Sequence, residues 1–413
     1  MTDLGISVII VSRDRPDWLT RCLRAVAKLD YPRFETIVVA CPAGEKVARQ
    51  AGWARVIACD RANISAARNM GVAAAQGEVV AFLDDDAVPE PLWLAQLATA
   101  FDDPEIAQAG GTTLGRNGIS VQHGAARVDA TGQSRAVDTS TTQPVVVPLF
   151  GDQVPRLHGT NMALRRSVVL EQSGFDERFA FYLDETDLTY RIARAGGKTM
   201  FVPKAVVHHA SGPSRYRDAE RTPRHVFEIA ASAAVFHGKH CPVADRDTAR
   251  VTFQAERRRW ILRHMQRGTL TPDRAWALIR ELDSGYAAGC ERLPIVASSE
   301  PVREATGIEV KPLVCRDYYL DASSDAKAIR TEAKALADQG HRVTVFEYRR
   351  NARYHRVTYT PDGYWLHTGG IFGRESREEP VFRLGNHTER VQQTLSRLQG
   401  IRSKNPRLTA HET

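Results

Sequence analysis

The sequence predicts an α/β protein built on a Rossmann-like, mostly parallel sheet flanked by helices, and three observations carry that prediction. Apolar runs and amphipathic helical stretches alternate four times in the first hundred residues, as strands joined by crossover helices do. The runs are β-branched and continuous, the mark of strands buried on both faces. Finally, Asp84-Asp85-Asp86 follows the apolar run Glu78 to Leu83 directly, at a strand's carboxyl end, where open sheets of this kind bind their ligands.

The elements follow in order. Ile6 to Val11 is the first strand, and Pro16 opens a helix whose Trp18, Leu19, Cys22, Leu23, Val26 and Leu29 recur at helical spacing. Phe34 to Val39 is a second strand, Val56 to Ala58 a weak third, and Ile64 to Ala75 a helix ended by Gly77. Trp93, on a helix with Leu92 and Leu97, reads as core. From Gly111 to Gly151 the pattern breaks into Gly, Thr, Ser and Gln with short pieces such as Val145 to Pro148. A helix begins at Arg165, acidic residues recur from Asp184 to Asp187, and the strands Thr199 to Val202 and Ala205 to His209 close this unit near Ser211. Basic, mostly helical sequence continues to about Leu293, followed by a link from Val296 to Val310. The last unit offers a strand at Pro312 to Cys315, a helix Asp325 to Gln339, a strand Arg342 to Phe346, and a polar tail frayed after Ser403. The expected division is a catalytic unit over 1–212, a basic helical extension packed on it over 213–295, and a small α/β accessory module over 296–413.

Bulk properties narrow the class. A chain of 413 residues calls for two or three domains. Its apolar runs all fall short of the ~18 to 20 residues of a spanning helix, and its start lacks the basic region of a signal peptide. The six cysteines form no CxxC pair, which argues against a zinc site or disulfide framework and for a reducing cytoplasm. The formal charge is +7, but no nucleic-acid-binding motif accompanies it, so nucleic acid is excluded as a partner. Arg257, Arg258, Arg259, Arg263 and Arg267 read as a solvated helix face, with peripheral contact to the inner face of a membrane as the alternative.

Carboxylates gathered at the end of an apolar strand repel one another, and a divalent cation is the usual offset because it takes oxygen ligands and leaves positions open for phosphate oxygens. Strand alternation points Asp84 and Asp86 one way and Asp85 the other. The surrounding motifs make the cluster specific. Ile6 to Asp17, Asn63-Ile-Ser-Ala-Ala-Arg-Asn-Met-Gly71, Gly77 to Asp86, Gly159-Thr-Asn-Met-Ala163, Gly174-Phe-Asp-Glu177 and Tyr182 to Arg191 occur in an order and spacing that resembles family 2 glycosyltransferases, over about half the chain.

That resemblance implies a GT-A fold and an inverting transfer of sugar from a nucleoside-diphosphate sugar to a hydroxyl of a glycan, lipid-linked or cell-surface acceptor. It implies Mn2+ or Mg2+ held by Asp84, Asp86 and His209, the last preferred over His208. Donor contacts are implied for Ser12, Arg13, Arg68, Asn69 and Asp84 to Asp86, and acceptor-side contacts for Gly159, Asn161 and Asp187. The family's Glu-Asp pair stands here as Asp184-Glu185, with the types exchanged: position makes Glu185 the base, residue type Asp184, and position is preferred. Asp187 and Arg191, four apart, are expected to form a supporting ion pair. One departure concerns the donor: the second strand ends Val38-Val39-Ala40 where relatives carry a base-binding aspartate, leaving Asp60 or backbone groups to read the base. A nucleotidyltransferase would need a glycine-rich loop after the first strand, which Ser12 to Pro16 is not; a scaffold built on a lapsed transferase is the remaining alternative. Ala333 to Val345 resembles, more faintly, the start of a GT-B half, without a complete GxGxxG.

Overall fold

The structure, a computed structural model, describes residues 4–138, 141–294, 308, 315–376 and 379–409. In chain order the elements are β1 (Ile6–Ser12), α1 (Pro16–Val26), β2 (Phe34–Ala40), α2 (Pro42–Ala51), β3 (Arg55–Ala58), α3 (Ile64–Ala74), β4 (Val79–Asp84), β5 (Ala87–Pro89), α4 (Trp93–Ala98), β6 (Ile106–Leu114), β7 (Val121–His123), β8 (Ala126–Val128), β9 (Ser134–Ala136), β10 (Val145–Val146), β11 (Val154–Arg156), β12 (Met162–Arg165), α5 (Arg166–Glu171), α6 (Asp184–Arg194) and β13 (Lys198–His209). The helices α7 (Phe227–His240), α8 (Arg246–Gln266) and α9 (Pro272–Arg292) follow. Last come β14 (Asp317–Asp321), α10 (Ala326–Asp338), β15 (Arg342–Arg349), β16 (Arg356–Tyr359), β17 (Trp365–Gly370) and α11 (His387–Leu398).

The main sheet runs β10-β13-β6-β12-β4-β1-β2-β3. Its half built first, β3-β2-β1-β4, is parallel, whereas β12 lies antiparallel between β4 and β6. Two-residue alternation divides the strands between two cores. Ile6, Val8 and Ile10 join Val79, Ala81 and Leu83 beneath α1 and α4, while Ile9, Val80 and Phe82 face α3, α5 and α6. The strand segments read as Thr199–Val202 and Ala205–His209 form one element, β13, whose register against β6 shifts between Val202 and Val207.

Register creates the site. Val11 pairs with Asp84, so β1 and β4 end side by side. The three-residue β5 then turns back to pair with the end of β13, setting Ala87 opposite His209, and the Ala210 N–H donates to the Asp86 carbonyl at 3.0 Å. Asp84, Asp86 and His209 meet because one turn and one antiparallel pairing bring them together.

Helices α7 to α9 share a core of their own and pack on α6 through Tyr190 and Phe236. The C-terminal module is a sheet ordered β14-β15-β17-β16, with α10 over one core and α11 over the other. Its opening strand is Asp317–Asp321. The run expected to form it, Pro312 to Cys315, falls outside the described residues apart from Cys315, as does the link Val296 to Val310 apart from Ile308. The tail also differs from expectation: Thr409 exchanges two hydrogen bonds with Tyr319 of β14, so the chain after Ser403 runs back along the module.

Candidate active site

Each wall of the cleft is set by local chemistry. Asn63 caps α3, its side chain accepting from Ala66 N–H at 2.9 Å. Along the same helix, the Ser65 hydroxyl donates to the Phe179 carbonyl at 2.7 Å, and the Asn69 side chain both donates to and accepts from the Phe175 backbone at 2.8 Å. α3 is thereby riveted to the loop 175–180 that leads into α6. Tyr182 and Leu183 then take consecutive left-handed conformations, φ 77° and 63°, and this double turn presents Asp184 and Glu185 at the first turn of α6, where the helix dipole favours carboxylates.

Arg68 joins the two acidic groups. Its side chain is buried beside Phe82 and Phe175; one guanidinium nitrogen pairs with Asp184 and the other lies 3.6 Å from Asp84. A Cβ at Gly159 would collide with this guanidinium, which accounts for the glycine. A cleft of about 560 Å³ is lined by Asp84, Asp86 and His209 on one side and by Asp184, Glu185 and Arg156 on the other.

Asp84, Asp86 and His209 offer ligand atoms within 4.8 Å of one another. His209 Nε2 lies 3.3 Å from Asp86 and 3.9 Å from Asp84. Two carboxylates and one imidazole suit a borderline divalent ion such as Mn2+, and Gln122, 3.0 Å from His209 Nδ1, orients the ring from behind. Asp86 is only 3% exposed. Burial alone would raise its pKa, but His209, Arg15 and Arg217 outweigh that and hold it well below the ordinary carboxylate range. Asp86 is therefore ionised and can serve as an oxygen ligand.

The remaining site residues are distributed unevenly. Asp85 is turned inward, accepting from the Ser12 hydroxyl at 2.7 Å and pairing with Arg15, and burial pushes it up to about 7. Ser12 and Arg13 line a second cavity of about 250 Å³ together with Asp14, Val39, Cys59 and Arg61. Arg13 also holds Asp60 at 3.1 Å. Ala40 packs in the core beneath α1. Asn69 is engaged with Phe175, as described above. Two residues expected on the acceptor side lie within the protein. Asn161 spends its amide on Trp93 and on the carbonyls of Thr112 and Ala205. Asp187 is fully buried and paired with Arg191, Lys239 and His240; these four residues form a joint between α6 and α7, while Asp184 and Glu185 at the start of the same helix face the cleft.

Burial raises Asp184 to about 7 in spite of Arg68. For Glu185, burial also pushes upward, but Arg156 (3.3 Å) and Arg68 overcome it and hold the group below the ordinary glutamate value. Several groups escaped sequence reasoning. His123 and His158 stack at 4.0 Å on the cleft wall, and burial lowers both, His123 to about 4. Tyr216 stacks on Phe181 at 3.7 Å between the two cavities, and Arg217 reaches Asp86 at 3.5 Å. Only the basic-aromatic run Arg215-Tyr216-Arg217 carried a signal.

Residues 4–227 match the family model described as "Glycosyltransferase like family 2". The chain is 28% identical over 228 residues to the O-antigen biosynthesis protein RfbC of Myxococcus xanthus, covering 52% of this chain and 18% of that protein. It is 30% identical over 145 residues to a pre-mycofactocin glycosyltransferase of Mycobacterium tuberculosis, covering 35% of this chain and 29% of that one. The chain thus spans less than a third of either relative's length. Among solved structures, the mannosyltransferase PcManGT from Pyrobaculum calidifontis, in complex with GDP-Man and Mn2+, shares 15% identity at a TM-score of 0.43, over 71% of this chain and 88% of that one. With its sheet, its paired acidic groups and a matching family model over more than half its length, the chain belongs to the family 2 glycosyltransferases.

Proposed function

We propose that the chain transfers a sugar from a nucleoside-diphosphate sugar to a hydroxyl acceptor by a single inverting displacement, with Glu185 as the base. The observation that supports this most strongly is Arg68, which contacts Asp84 with one nitrogen and Asp184 with the other. A leaving-group side and an attacking side are thereby held on opposite flanks of one buried cation, as in-line displacement needs.

In this reading Asp84, Asp86 and His209 hold a divalent cation, which supplies charge stabilisation for the departing diphosphate. Arg15 and Arg217, at 3.0 and 3.5 Å from Asp86, are within reach to share that task. The nucleoside lies over Val11, Val39 and Ile64 in the second cavity, with Asp14 at its rim standing in for the acid that Ala40 replaces and Arg13 beside it. Glu185 is the more open carboxylate of its pair, at 14% against 3% for Asp184. Being ionised, it accepts the acceptor's proton as the new bond forms, while Asp184 orients Arg68. The acceptor enters past His123, His158 and Gly159 and is a hydroxyl of a glycan or of a lipid-linked or cell-surface precursor. No described helix is long and apolar enough to cross a membrane, and any association with a membrane face runs through the exposed arginines of α8.

A melting-temperature panel of nucleoside diphosphates, with and without Mn2+, tests the reading. Stabilisation is expected for at least one base, only with metal, and is lost in Asp86→Ala. Equal stabilisation without metal, or an undiminished shift in Asp86→Ala, counts against the cation site.

A further inference from the structure

Next to His209 on β13, His208 points to the opposite face of the sheet, away from the cleft and toward the C-terminal module. There it meets a buried charge cluster that the transfer reaction does not use. His208 Nε2 lies 2.9 Å from Glu90 Oε1, and the Glu90 N–H donates to the Val206 carbonyl at 3.0 Å, so both backbone and side chain of Glu90 are tied to β13. Arg402, 312 residues later, closes the other side. Its Nε and Nη2 donate to the two Glu90 oxygens at 2.8 and 2.6 Å, and its Nη1 donates to His367 and to Thr344. The guanidinium lies 4.3 Å from the Trp365 ring, which in turn stands 4.6 Å from His208. Burial would raise the Glu90 pKa, but Arg402 and His208 outweigh it and hold the carboxylate ionised. The backbone joins here too, Leu92 N–H donating to the Ile401 carbonyl at 3.1 Å.

The position of this cluster matters more than its energy. A buried ion pair adds little net stability, because desolvation cancels most of the attraction. Glu90, however, follows β5 directly, and β5 is only three residues long with β13 as its pairing partner. Asp86 immediately precedes β5 and His209 ends β13. We infer that Arg402, with Trp365, is a positioning residue for the cation site: the C-terminal module clamps Glu90 and His208 and so fixes His209 against Asp84 and Asp86. The inference rests on reading those three residues as a cation site.

The test is a titration of full-length protein with Mn2+ alone, following the paramagnetic signal of the free ion, in wild type, Arg402→Met, Trp365→Leu and Arg342→Met. Arg342 ties the same module to Asp30 and touches none of the triad's supports. Arg402→Met is expected to weaken Mn2+ binding about 10- to 100-fold, the usual range for a lost outer-sphere partner. Trp365→Leu should weaken it less, and Arg342→Met should lower the melting temperature without changing Mn2+ affinity. Folded Arg402→Met protein with wild-type affinity overturns the inference; should that variant not fold, wild-type affinity in Trp365→Leu overturns it. Equal weakening in all three variants also overturns it, by showing general loosening. A wild type that takes up no Mn2+ removes the cation reading itself, whereas intact wild-type binding with unaffected variants removes only the clamp.

Discussion

Two adjacent carboxylates with opposite displacements make the choice of base a measurable question at the residue scale. A base must be ionised, so transfer is lost as pH falls through its pKa. With Glu185 held below the ordinary glutamate value, kcat should stay flat from neutral pH down to about pH 5 and fall only near or below the free-glutamate value of roughly 4.3. Were Asp184 the base, the acid limb would stand near 7. A pH–rate profile on wild type separates these outcomes. Glu185→Gln should retain donor binding while losing about 100-fold or more in transfer, in line with general-base catalysis. Asp184→Asn should lose less and shift KM, because it frees Arg68. The reverse ranking would hand the role to Asp184.

Where β6 and β13 pair side by side, the element scale shows how tightly the cation site depends on strand geometry. A Cβ at Gly111 would run into the Ala205 carbonyl, just where the register shifts before His209. Gly111→Ala should therefore cost about 1 to 3 kcal/mol as an overpacked contact and displace His209, so thermal melting and Mn2+ affinity should fall together. Melting unchanged would show that the strands part without strain. Elements whose logic is local were legible in the sequence: β1, β4 and α3 follow from apolar runs and a capping Asn, whereas Asp84 and Asp86 share a side because of the turn that follows β4 rather than by strand alternation. What escaped was long-range. Arg402 meets Glu90 across 312 residues, and neither residue belongs to a motif that points to the other. The Asp187–Arg191 ion pair was legible from its i, i+4 spacing, but the further partners of Asp187 and Asn161 were not: a conspicuous polar residue in a site motif looks the same whether its partners lie in a cleft or, as with His240 and Trp93, inside the protein.

The molecule as a whole is held by polar joints between its parts. Lys239 and His240 of α7 close over Asp187, and Arg178 donates to the Leu293 carbonyl at 2.7 Å. A chain ending at residue 212 leaves Asp187, a fully buried carboxylate, with Arg191 alone, and losing a buried partner costs about 3 to 5 kcal/mol. Such a fragment should be insoluble or melt far below the full chain; a soluble, active fragment would refute the coupling. Asp187 also sets a pH signature. Its folded pKa is depressed, so its contribution is present above the unfolded value of about 3.9 and is lost as pH falls below it. Acid should therefore melt the α6–α7 joint, whereas Asp187→Asn, already without the charge, should show a flatter acid limb from a lower starting stability.

Asp14 opens a different kind of experiment. It occupies a left-handed conformation, φ 58°, with its side chain 75% exposed, so replacing it by glycine removes backbone strain and gives up only two long contacts, one from the Cys41 thiol and one with Arg13, both at 3.6 Å. Asp14→Gly is expected to gain about 1 kcal/mol of folding free energy and, if Asp14 stands at the donor rim as proposed, to weaken nucleotide binding. Stability and donor affinity would then move in opposite directions from a single change. That would make the rim of this cleft a place where selection for thermal robustness alone should be seen to erode the enzyme's grip on its donor.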